Sequence, residues 1–210
     1  MRRSRVGLVI VALGVAAMSG SIQAQETRGQ SGVAGTPAQR PADHAAASRS
    51  DSQGFVNDMA IAGMAEVELG RMAADRAASA DVKAFGQMMV TDHSKANDEL
   101  KQAASQLNIQ PTTQLDQKHR DLADRLSKLK GAEFDREYMT AMVQGHEEVL
   151  GKLRQRAGGA SGTPAAGARS ANAGGGASGD QALTQWAAKT TPAVQQHLER
   201  AKALQSKVAK

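Results

Sequence analysis

Residues 85–100, FGQMMVTDHSKANDEL, and residues 138–153, YMTAMVQGHEEVLGKL, decide how this chain folds. Both read as an aromatic residue, then Met-Val, then His, then Leu, at identical spacing: Phe85, Met89, Val90, His93 and Leu100 against Tyr138, Met142, Val143, His146 and Leu153. Side chains four positions apart lie over one stripe of an α-helix, so the pattern predicts two helices, each carrying a histidine on its apolar face. A third helix repeats the arrangement with His197 between Val194 and Ala201.

The same 3.6-residue period continues outward. Phe55, Met59, Ala62, Glu66, Leu69 and Ala73 form a stripe that is apolar except at Glu66. Ser79 is suited to cap the next helix, with Asp81 in its first turn, and that helix is expected to run to about Leu107 and stop before Pro111. Thr112 or Thr113 is expected to cap a shorter helix bearing Leu115, Leu122, Leu126 and Leu129, which ends at Gly131. Further helices are expected over Ala132–Ala157, closed by Gly158-Gly159, and from a cap at Asp180 to Val208. Pro192 either kinks the last one or opens a new helix capped by Thr191. No strand pattern competes, so the expected fold class is all-α: a four-helix bundle with an additional short connecting helix.

The chain begins as a secretory signal peptide over residues 1–24. Arg2, Arg3 and Arg5 precede an apolar run from Val6 to Ala17, and Ile22-Gln23-Ala24 is a suitable cleavage site. That run is about 12 residues, shorter than the roughly 20 needed to cross a bilayer. No transmembrane segment is expected after its removal, and the expected compartment is the periplasm, with secretion second. Residues 25–54, rich in small and polar side chains, read as a disordered leader, and the segment 158–179 as a flexible linker inside a domain spanning 55–208. Net charge is +5 for the whole chain and +2 once the signal-peptide arginines Arg2, Arg3 and Arg5 are gone. With aromatics at 2% and no basic stripe, nucleic acid is not an expected partner. Zero cysteines exclude disulfides, thiolate ligands and cysteine nucleophiles. There is no Gly-x-Ser-x-Gly turn or phosphate-binding glycine loop either.

Four polar residues therefore stand on apolar faces: Glu66, His93, His146 and His197. Asp92 competes with His93 for the inward position, and Glu68 competes with Glu66 through a stripe of Ile61, Ala65 and Met72. Glu147, Glu148 and Glu199 belong on solvated flanks, as does His119. Burying imidazole and carboxylate is costly unless they are paired or bound to metal. Glu66, Asp92, His93, His146 and His197 are accordingly the candidate ligands of a single Fe, Zn, Mn or Cu ion. A metal-free Glu–His network that only orders the core is the second reading, in an envelope interaction or stress-protection module with an envelope protein as partner. A small metal-dependent redox enzyme is the third. Met89 paired with His93 and Met142 paired with His146, at helical spacing, add a Cu(I) variant, although core packing explains the methionines as well. Histidine side chains more than about 10 Å apart could not share an ion, given metal–nitrogen bonds near 2 Å.

Several motifs in order resemble the domain-of-unknown-function 4142 family, over about Phe55 to Leu204. They are Ala65-Glu66-Val67-Glu68-Leu69-Gly70, Val82-Lys83-Ala84-Phe85, Met89-Val90-x-Asp92-His93, Phe134-Asp135-x2-Tyr138, His146-Glu147 and His197-Leu198-Glu199. The resemblance implies an exported, ferritin-like helical bundle, of a kind often labelled an outer membrane protein. A membrane barrel is not expected, since no ten-residue alternating strands exist. Ferritin-like di-iron sites use Glu-x-x-His, but Val90, Val143 and Val194 stand three residues before the three histidines. A ferroxidase-type dinuclear centre is therefore not expected.

Overall fold

The computed structural model describes residues 41–158 and 176–209; the expected signal peptide, the expected leader as far as residue 40 and residues 159–175 of the expected linker lie outside them. Five helices make up the described chain: α1 (Pro41–Arg76), α2 (Ala80–Ser105), α3 (Gln117–Ser127), α4 (Gly131–Gly158) and α5 (Gly176–Val208). No strand occurs among the described residues, and no helix there is long and apolar enough to cross a membrane.

The long helices form a four-helix bundle. α1 packs along α2 and α4 along α5; α2 against α5 and α1 against α4 close the square, and α3 lies over α1. Contacts at the ends fix the directions. Ala77 after α1 bridges to Gly131 at the start of α4, Lys207 near the end of α5 pairs with Asp81 at the start of α2, and Arg156 near the end of α4 pairs with Asp180. α2 and α4 therefore run parallel across the bundle diagonal, and the segment 106–130 is the one long crossover that this topology requires.

That parallel diagonal gives the repeated sequence pattern its physical meaning. Two parallel helices entering the core at one height place equally spaced residues in common layers. Phe85 meets Tyr138 edge to face at 6.3 Å between ring centres, and His93 meets His146 at 5.7 Å one layer further on. Phe85, Met89 and Leu100, with Tyr138, Met142 and Leu153, are all withdrawn from solvent. Phe134 stacks on Tyr138 at 5.5 Å and extends the aromatic layer. Met89 and Met142 are packing residues of this core.

Ser79 caps α2 as expected, its side chain accepting from the Val82 N–H. Asp135 reinforces that turn from α4. It is 3% exposed, and its two carboxylate oxygens accept from the Ala78 and Ser79 N–H groups at 3.1 and 2.9 Å. α1 and α2 touch backbone to backbone beside the turn. A Cβ added at Gly70 would stand 2.6 Å from the Gly86 carbonyl oxygen, and one at Gly86 would stand 2.7 Å from that of Gly70.

Three boundaries differ from the sequence reading. α1 starts at Pro41, so residues 41–54 are helical and not a disordered leader; alanine-rich sequence favours helix, and buried Ser52 finds a partner in Asp180 at 2.8 Å. Asp180 is consequently an interior residue of α5 and not its cap. α3 is capped by Asp116 and not by Thr112 or Thr113, because the Thr112 N–H donates to Asn57 on α1 and holds the chain there. α5 continues through Pro192. Pro192 and Ala188, whose carbonyl loses its helical donor, are both exposed, so the missing bond falls on the solvent side of the helix.

Candidate metal centre

α2, α4 and α5 each deliver one imidazole to a single layer of the core. His93, His146 and His197 have ring centres 5.4–5.7 Å apart, and one ligand atom from each lies within 4.8 Å of the others. The separation that would have excluded a shared ion does not occur. His146 and His197 are 1% and 5% exposed, and the Nε2 atom of partly buried His93 is itself out of reach of solvent.

Hydrogen bonding fixes which nitrogens face one another. His146 Nδ1 lies 2.7 Å from the Met142 carbonyl oxygen. A carbonyl only accepts, so Nδ1 carries the proton and Nε2 presents a bare lone pair. His197 Nε2 lies 2.9 Å from Asp92 Oδ2, which leaves its Nδ1 bare by the same logic. His93 Nε2, His146 Nε2 and His197 Nδ1 are buried without a hydrogen-bond partner. Each of the three neighbouring rings thus keeps one buried nitrogen without a partner, and two of the rings are held at the other nitrogen by an acceptor.

Burial disfavours the charged form of His93 and of His197. His93 is driven down to about 3, first by burial and then by the neighbouring His146 and His197. His197 is lowered mainly by burial, with the Asp92 hydrogen bond opposing. A neutral imidazole is the form that ligates metal.

The acidic candidates separate from this cluster. Asp92 is exposed and serves as the partner of His197, so of the two neighbours it is His93 that points inward. Glu66 is 7% exposed whereas Glu68 is exposed. Glu66 Oε1 stands 3.5 Å from the outer nitrogen of His146, Oε2 has no partner, and burial raises its pKa. Neither carboxylate joins the three-nitrogen group. Glu147, Glu148 and Glu199 are exposed, as expected. His119 is half-buried and not on a free polar face, its Nδ1 lying 2.6 Å from Asp116 of the α3 cap.

Sequence reasoning missed Asp135, Asn97 and Trp186. Trp186 donates from Nε1 to the Ala96 carbonyl at 3.2 Å, and with Asn97 it borders a small cavity against His93 and His146. The Phe134-Asp135 motif gave the only signal for any of them.

No curated protein and no solved structure matches the chain. Residues 36–166 match the family described as a domain of unknown function, DUF4142, a span that holds α1 to α4 and ends before α5 and His197. The match covers more than half of the 210 residues, and the chain belongs to the DUF4142 family.

Proposed function

We propose that this protein binds a single divalent metal ion through His93 Nε2, His146 Nε2 and His197 Nδ1. The observation that carries the reading is the convergence of three buried, unpartnered imidazole nitrogens, two with the opposite nitrogen held by a carboxylate or a carbonyl. Such outer partners orient metal-bound histidine and raise its basicity. Tetrahedral ligation needs nitrogens about 3.4 Å apart, so binding would draw the rings inward from a spacing of up to 4.8 Å. An all-imidazole set with no carboxylate suits Zn²⁺ or Cu²⁺ better than Mn²⁺. A metal-free network is the weaker reading, since each buried nitrogen left without a partner costs about 1–3 kcal/mol. The basic and apolar N-terminal sequence supports export to the periplasm as the setting for this binding.

Dialysis of the untagged chain against Zn, Cu, Fe and Mn in turn, with retained metal quantified, tests the proposal. One ion per chain is expected for the native protein and none for His93→Ala/His146→Ala. Equal retention by both would remove these residues from the binding site. No retention by either would leave the histidines as core packing alone.

A further inference from the structure

Three protein nitrogens leave a tetrahedral ion one ligand short, and the surroundings of the cluster show where the fourth would come from. A cavity of about 20 Å³ lies against His93 and His146, walled by Gly63, Asn97, Trp186 and Thr190. That is room for one water-sized ligand and little more. Glu66 forms part of the wall, and its unpartnered Oε2 is the buried polar atom there without an assigned role. No further histidine or acidic side chain joins the three-nitrogen group among the described residues, so the protein itself does not fill the position.

A second, larger hollow of about 440 Å³ opens between α1, α3 and α4. The two share Met59, Ala62, Glu66 and Val149, so Glu66 stands in the partition between the outer groove and the inner cavity. Gly145 lines the groove opposite it. A Cβ added there would come within 3.4 Å of Glu66 Oε1, so the absence of a side chain keeps the approach to Glu66 open.

Resting on the metal reading above, we infer that the ion keeps its fourth position for an exchangeable one-atom donor, water or a small anion. This ligand sits in the inner cavity beside Glu66 and is reached through the groove between α1, α3 and α4. Glu66 acts on it as a positioning residue, taking the hydrogen bond that Oε2 now lacks. The site is then open, unlike a structural ion closed by four protein ligands.

Electron paramagnetic resonance of the Cu²⁺-loaded full chain tests this. The expected spectrum shows splitting from three nitrogens, broadening in ¹⁷O-enriched water, and an added fluorine splitting when fluoride replaces that water. Gly145→Leu should retain the three-nitrogen pattern and take up fluoride several-fold more slowly. A three-nitrogen spectrum insensitive to both ¹⁷O and fluoride overturns the open position while leaving the metal site standing. Unchanged uptake in Gly145→Leu overturns the groove as the route. A spectrum without three nitrogens overturns the metal reading itself, and this inference with it.

Discussion

The charge state of the buried imidazoles ties the core to pH. His93, at about 3 in the folded chain, and His197, also lowered, both titrate near 6.5 when unfolded. Between those values the unfolded chain binds more protons, so stability falls as pH falls, by about 1.4 kcal/mol per pH unit from His93 alone. Glu66 is raised from 4.5 and acts oppositely, favouring the folded state as pH drops toward 4.5 and adding nothing below it. The net loss should therefore steepen below pH 4.5. Urea unfolding of the metal-free protein across this range should show it, with a shallower slope for His93→Gln; parallel profiles for the two would refute the assignment. His93 and Asp92 also mark how far single residues were legible. Neighbours lie about 100° apart on a helix, so at the edge of a stripe the period cannot choose between them. Their contrasting roles emerge only once α5 brings His197 beside Asp92. Asp135 was illegible for a related reason: its partners are backbone groups more than fifty residues away, which no local pattern encodes.

Among the helices, contact distance decides what a side chain can do. Gly86→Ala places a methyl 2.7 Å from both the Gly70 carbonyl oxygen and Ala73 Cβ, so α1 and α2 must part. Overpacking of this kind costs about 1–3 kcal/mol, against about 1 kcal/mol gained in helix propensity. Gly151→Ala meets nothing within 4 Å and keeps only the gain. Thermal unfolding should thus move in opposite directions for these two helical glycines, and a stabilised Gly86→Ala would show that the close approach is not tight. The helices themselves were legible because apolar residues recur at 3.6 throughout, and the matched pair in α2 and α4 announced a shared layer. Their starts were not. Asp116 displaces the threonines as cap because Asn57 holds Thr112, and Asp180 is drawn into α5 by Arg156 and Ser52. Both are contacts with a different helix, which a local reading of cap residues does not contain.

For the whole molecule, metal binding by the three histidines would be one equilibrium with folding, because the rings meet only when α5 is docked. Zn²⁺ at about 100 times its dissociation constant would add about 2.7 kcal/mol, a rise of about 5–10 °C in Tm for a domain of this size. His197→Ala should abolish that rise while leaving the metal-free protein folded; a Zn²⁺-induced rise surviving in it would show that α5 contributes no ligand. The spacing of the three histidines along the chain has a further bearing on this equilibrium. His93, His146 and His197 are 53 and 51 positions apart along a chain with no cysteine. An ion gripping all three would close two long loops at once, and tethers of that span strip more disorder from the unfolded chain than short ones do. A protein unable to form a disulfide would thereby gain a removable staple, set by how much metal its surroundings supply.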